Sequence, residues 1–171
     1  MAAVSAVSSH PFSQYRVEKV RVQAKLTLSN GASVHGSFFT SVDSRTHPGP
    51  EGVKDVLNGE RGFFPLEVTK PDGPQTVLYN RSHVVFVVLS DRDEPYRDPG
   101  YDIATRRVVA VLMSNGVRLR GAVRIFCPEG RDRLSDFARA DETFRYLETD
   151  DATYVINVHH LVELAEEPPA L

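Results

Sequence analysis

Three arginines give the strongest chemical signal in this chain. In the segment Val117–Ile125, positions 118, 120 and 124 are arginine, and apolar residues fill most of the others. In an extended chain Arg118, Arg120 and Arg124 share one face. Guanidinium forks suit phosphates and carboxylates, so this face points to an anionic ligand, an acidic partner surface or nucleic acid. The plainer alternative is a solvated face offset by neighbours such as Glu148 and Asp150. Asn80 and Asn157 recur at matching places before two apolar stretches. Asparagine at a turn bonds its own backbone and tolerates left-handed geometry; contact with a ligand or a base is the other reading. His83 and His160 also recur, with His159 beside the second. A metal would need three or four converging ligands. No H-x-x-x-H is present and the only cysteine is Cys127. An imidazole bonding a turn carbonyl is the expectation, and neither metal nor cofactor is.

Catalysis finds little support. There is no G-x-S-x-G elbow, no G-x-x-x-x-G-K-[ST] phosphate loop and no G-x-G-x-x-G. Asp150-Asp151 is a carboxylate pair, but in a polar turn between strands. No acid–base pair has surroundings that would drive two pKa values apart. The expectation is a protein that is not an enzyme.

The elements that carry these residues repeat. Leu28-Ser29-Asn30-Gly31 matches Met113-Ser114-Asn115-Gly116 at an offset of 85, with Gly36 matching Gly121. The offset then falls to 81, where Asp55 matches Asp136, Phe63 Phe144 and Leu66 Leu147. It falls again to 77, where Asn80 matches Asn157, His83 His160 and Val85 Val162. The order never breaks, and the offset changes where loops belong, as in a duplicated module. Val20, Val22, Ala24, Leu26 and Leu28 alternate with polar residues, which predicts a half-buried strand. Asn30-Gly31 and Asn115-Gly116 predict tight hairpin turns with positive φ at both residues. Gly36 and Gly121 sit mid-strand, where glycine marks a bend or close backbone approach. Glu51 to Asn58 and Arg131 to Ala140 predict short helical inserts, the second with Leu134, Phe137 and Ala138 on one face. Strands three and four follow, at Phe63–Val68 and Thr76–Tyr79, then at Phe144–Glu148 and Thr153–Ile156. The fifth differs between copies. Val84–Leu89 is apolar on both faces, whereas Leu161–Leu164 contains Glu163. A strand apolar on both faces must be covered on both. Val84, Phe86, Val87 and Val88 are therefore the expected interface.

Composition bounds the rest. Apolar residues form 41% of the chain, enough for a packed core. The net charge of −3 gives no general attraction to nucleic acid or acidic membranes. No apolar run approaches the ~18 residues that would span a bilayer, and the start lacks a basic segment followed by an apolar one. A soluble cytoplasmic protein is the expectation. Residues 91–105 hold five acidic residues against two basic ones, with two prolines and a glycine, and read as a linker. The predicted organisation is a tail at 1–14, a first module at 15–90, the linker, a second module at 106–166 and a tail at 167–171.

Five short strands per module, with glycine bends, suggest a small curved barrel. The pattern resembles the Sm-like fold. That family carries an L-x-N-G-x-x-V-x-G signature, similar here to Leu28–Gly36 and Met113–Gly121. It also carries a strand pair joined by a one-turn 3₁₀ segment, similar here to Val77–Val85 and Val155–Val162. The family's Arg-Gly in that stretch is replaced by Asn80-Arg81 and Asn157-Val158, and its loop after strand two by the helical insert. Those are positions where Sm-like rings hold RNA bases. The resemblance implies an all-β protein of two tandem Sm-like five-stranded curved barrels with short helical inserts. The expected role is a non-catalytic binding or assembly module acting through protein–protein contacts or self-association. The alternative is an RNA- or nucleotide-binding protein that uses the arginine face.

Overall fold

The computed structural model describes residues 18–128 and 130–168; the expected tail at 1–14, and residues 169–171 of the other, lie outside them. The first half contains β1 (Lys19–Leu28), β2 (Ser33–Ser41), α1 (Val53–Asn58), β3 (Phe63–Lys70), β4 (Gly73–Asn80) and β5 (Val84–Leu89). The second contains β6 (Thr105–Met113), β7 (Arg118–Ile125), α2 (Leu134–Arg139), β8 (Phe144–Glu148), β9 (Thr153–Asn157) and β10 (Leu161–Glu166). A 3₁₀ turn joins β4 to β5 at Arg81–His83, and another joins β9 to β10 at Val158–His160. The protein is mostly β. No helix among the described residues is long and apolar enough to cross a membrane.

The ten strands form one antiparallel sheet in the order β10-β6-β7-β8-β9-β5-β1-β2-β3-β4. Within each half the order is fifth, first, second, third, fourth. The two tandem five-stranded curved barrels expected from the sequence do not appear as closed units. The sheet is continuous and unclosed, with β10 and β4 at its edges, because β5 takes β9 as its second neighbour.

Both hairpins are built alike, though not as the Asn-Gly pair alone suggests. Only the glycines, Gly31 and Gly116, have positive φ; Asn30 and Asn115 do not. Gly31 N–H donates to the Leu28 carbonyl and Leu28 N–H to the Ala32 carbonyl, both at 2.9 Å. That is a three-residue turn closed by a glycine bulge rather than a two-residue one. Asn30 Oδ1 accepts from Ala32 N–H, so the asparagine supports the turn with its side chain.

The mid-strand glycines mark close approach. A Cβ on Gly36 would lie 2.7 Å from the Glu67 carbonyl oxygen, and one on Gly121 would lie 2.5 Å from that of Glu148. The absent side chains let the second strand of each half bend against the third. Of the insert helices, α1 buries Val53 and Leu57, and α2 buries Phe137. Leu134 packs at the side of the core, whereas Ala138 faces out, contrary to expectation. Gly121→Ala is therefore expected to cost about 1–3 kcal/mol by overpacking backbone. A thermal melt checks this: a fall in Tm of several degrees is the expected result, and an unchanged Tm contradicts the close-approach account.

Candidate functional site

The joint between the halves follows from the composition of β5. Phe86, Val87 and Val88 pair antiparallel with Ile156, Val155 and Tyr154 of β9. On the other side β5 pairs with β1 of its own half. Its side chains enter two cores. Val84, Val87 and Leu89 pack with Leu26, Phe38, Phe64 and Leu66 of the first half. Val85 and Phe86 pack with Val111, Met113, Ile125 and Leu147 of the second, with Val88 at the side. In return, Phe144 and Val155 enter the first core. Phe86 meets Tyr154 edge to face, with ring centroids 5.6 Å apart.

Polar side chains complete the joint. Asn157 is buried; its Oδ1 accepts from His159 N–H at 3.0 Å, and its Nδ2 donates to the Val84 carbonyl at 2.8 Å. Asn58 Nδ2 donates to the Phe144 carbonyl, and Asn58 Oδ1 accepts from Phe144 N–H. That side chain pairs with the β8 backbone as another strand would. His160 Nδ1 meets Ser114 Oγ at 2.7 Å, and its Nε2 donates to the Ser82 carbonyl at 2.7 Å, across the halves. His83 repeats the local half of this arrangement with Ser29 Oγ at 2.8 Å.

The segment at 91–105 is packed rather than extended. It forms a 3₁₀ turn, Glu94–Arg97, and buries Glu94, Pro95 and Tyr101. Glu94 Oε1 accepts from the Tyr146 hydroxyl at 2.8 Å and from Lys54 N–H at 3.2 Å. The same carboxylate touches Gly52, where a Cβ would lie 2.7 Å away. Burial raises the Glu94 pKa, although the hydrogen bonds oppose the shift. Lys54, also buried, reaches Asp98 at 2.6 Å and Glu142 at 3.2 Å, over the Tyr146 ring. These contacts tie α1, the connecting segment and β8 together. They were not anticipated, because five acidic residues in fifteen look solvated and a lysine in a helical insert looks exposed.

Arg118 and Arg120 stay largely exposed, whereas Arg124 is partly covered. Arg118 lies 3.9 Å from Glu163, and Arg120 pairs with Glu167. Arg124 Nε donates to Glu148 at 3.1 Å, its Nη2 donates to the Tyr101 hydroxyl at 2.7 Å, and its guanidinium lies 3.7 Å from the Tyr101 ring centroid. The connecting segment thus covers one end of this face. Asn80 and Asn157 each cap a 3₁₀ turn from extended backbone, with φ of −80° and −88°, so neither uses the left-handed geometry that asparagine tolerates. Phe86, Val87 and Val88 pair with β9, whereas Val84 pairs with β1 of its own half and meets the second half through its carbonyl, which accepts from Asn157. Cys127 is exposed. No cluster of metal-ligating side chains occurs among the described residues.

His47 adds a titratable contact beside α1. Its side chain is 5% exposed. Nδ1 lies 3.0 Å from the Pro48 carbonyl oxygen and Nε2 2.8 Å from Asp55 Oδ2. Both partners accept, so both ring nitrogens carry hydrogens and the ring is held as imidazolium. Burial opposes that charge, but the Asp55 and Pro48 hydrogen bonds and the Asp55 charge outweigh it and raise the pKa above its usual 6.5.

No protein-family model, curated protein or solved structure matches this chain.

The His47 shift has a pH signature. The folded state holds this proton more tightly than the unfolded state. The stabilisation is therefore complete below about pH 6.5 and is lost as pH rises through the raised folded value. Denaturant melts from pH 6 upward should show stability falling in that window, and His47→Gln should flatten the fall. Equal slopes for the two proteins would contradict the imidazolium assignment.

Proposed function

We propose that this protein is an assembly module that joins five-stranded units edge to edge, once within the chain and again between chains. One observation carries the reading. Val85 and Val155, at the internal joint, are 0% exposed, whereas their sister residues Val162 and Leu78, on the open edge strands, are 65% and 63% exposed. The two edges of the sheet are the two halves of a joint of the kind already made by β5 and β9. Applying that register to them sets Leu164 opposite Leu78, Ala165 opposite Val77 and Glu163 opposite Tyr79. Open strand edges bearing apolar side chains are templates for pairing with another chain. The contact is head to tail, so it propagates into a ring or a filament according to the rotation per copy.

The common strand order, the paired glycines and the 3₁₀ turns before β5 and β10 support the reading of a duplicated Sm-like unit. Nucleic-acid binding through Arg118, Arg120 and Arg124 has less support, because each guanidinium has a carboxylate beside it. Glu163 in β10 makes the outer joint more polar than the inner one, which favours a reversible contact.

Size-exclusion chromatography with light scattering tests the proposal. The expected result is a mass above that of one chain, rising with concentration. The double substitution Leu78→Lys with Val162→Lys should return a single-chain mass and leave the melt nearly unchanged, since both side chains are exposed in one chain. A single-chain mass for the unaltered protein at every concentration, or an unaltered assembly in the double variant, overturns it.

A further inference from the structure

A cavity of about 390 Å³ lies where α1 and its preceding loop, the connecting segment and the β7–α2–β8 region meet. Its size falls in the range of about 300–1,000 Å³ usual for small-molecule sites. Ile125, Phe126, Phe137 and Pro99 give it apolar wall. Phe126 lies at an exposed edge, stacked over Gly100, where a Cβ would come within 2.6 Å of the ring.

Most charges in the wall have a partner, and Arg145 is the cation among them with no ion pair to a described residue. Asp55 holds His47, Asp98 and Glu142 hold Lys54, and Glu148 holds Arg124. Asp136 accepts from Arg133 N–H at the start of α2. Arg145 is different. The residue is 5% exposed, yet no carboxylate lies within ion-pair distance of it among the described residues. Its Nε and Nη2 donate to the Glu142 and Ala140 carbonyls, and its guanidinium stacks over Phe137 at 4.6 Å from the ring centroid. Its Nη1 is buried with no hydrogen-bond partner. A buried cation ordinarily has a counter-ion, and a buried donor ordinarily has an acceptor. Arg145 has no carboxylate within ion-pair distance among the described residues, its Nη1 alone lacks an acceptor, and the residue lines the cavity.

We propose that the cavity binds a small organic carboxylate, whose carboxyl group neutralises Arg145 and whose apolar body lies against Ile125 and Phe126. A guanidinium favours a planar carboxylate, which it meets with parallel hydrogen bonds. The apolar wall selects a carboxylate with an aromatic or branched body over a bare one such as acetate. Of the acidic residues in the wall, Asp55, Asp98, Glu142 and Glu148 are drawn to His47, Lys54 and Arg124, which limits their repulsion of a carboxylate. Since the cavity draws its walls from both halves and from the connecting segment, the ligand would also brace the joint.

The probe is phenylacetate, compared with 2-phenylethanol, which has the same body without charge, and with 2-phenylethylamine, which reverses the charge. Titration of the full chain is followed by amide chemical shifts. Phenylacetate is expected to give saturable shifts at residues 125–127 and 140–146. The alcohol should bind about tenfold or more weakly, the loss for a missing charge-assisted hydrogen bond, and the amine more weakly still. Arg145→Met should abolish the preference for phenylacetate over the alcohol. Phe126→Ala, at an exposed position that leaves the core intact, should weaken both probes. The proposal is overturned if phenylacetate gives no saturable shift, if the alcohol or the amine binds as well, or if Arg145→Met keeps the preference. If Arg145→Met does not fold, the three-probe comparison and Phe126→Ala decide.

Discussion

Six consecutive apolar residues make β5 a strand with no face for water. Val84, Val87 and Leu89 complete one core, and Val85 and Phe86 enter the other. Fully burying a Val or Phe side chain contributes about 1.5–3 kcal/mol, so the two residues in the second core contribute on the order of 3–6 kcal/mol. That is a large part of the marginal stability of a domain, about 5–15 kcal/mol. Neither half can bury β5 alone. Given a strand of this composition, the chain must supply a second neighbour. β9 is the strand it supplies, and the continuous ten-stranded sheet follows.

The polar contacts then fix how the halves sit. Asn58, Asn157 and His160 each bond backbone across the joint, which sets register where apolar packing alone would allow slippage. Glu94 and Lys54 bring the connecting segment down onto α1 and Tyr146. Buried charges of this kind add less to stability than they take away when one partner is lost. Their role here is to hold three elements in a single arrangement around the cavity that contains Arg145.

The strands were legible because period-two alternation and glycine placement are local signals, and the repeat doubled each of them. The need for a cover on Val84–Leu89 was legible from composition alone. That the sheet stays unclosed was not legible, since closure depends on whether the fifth strand turns back to its own half or pairs with another, and side-chain pattern leaves both open. The hairpin type was misjudged because Asn30-Gly31 suits a two-residue turn as well as a glycine-bulge turn. The groups that meet the arginine face were only partly legible, because Tyr101, Glu163 and Glu167 come from distant parts of the chain. Arg145 gave no sequence signal: its place beside Phe137 and its missing counter-ion exist only once α2 and β8 pack.

If β5 is a shared core strand, the two halves unfold as one unit. Native-state hydrogen exchange reads this residue by residue, at amides in the middle of β1 and β6 such as Leu26 and Val111. The expected result is one common opening free energy in the two halves. Val85→Asp, which buries an uncompensated charge, should lower both by the same amount, about 3–5 kcal/mol. Separate opening energies, with Val85→Asp lowering only one half, would show that the halves are independent and that β5 does not hold them together.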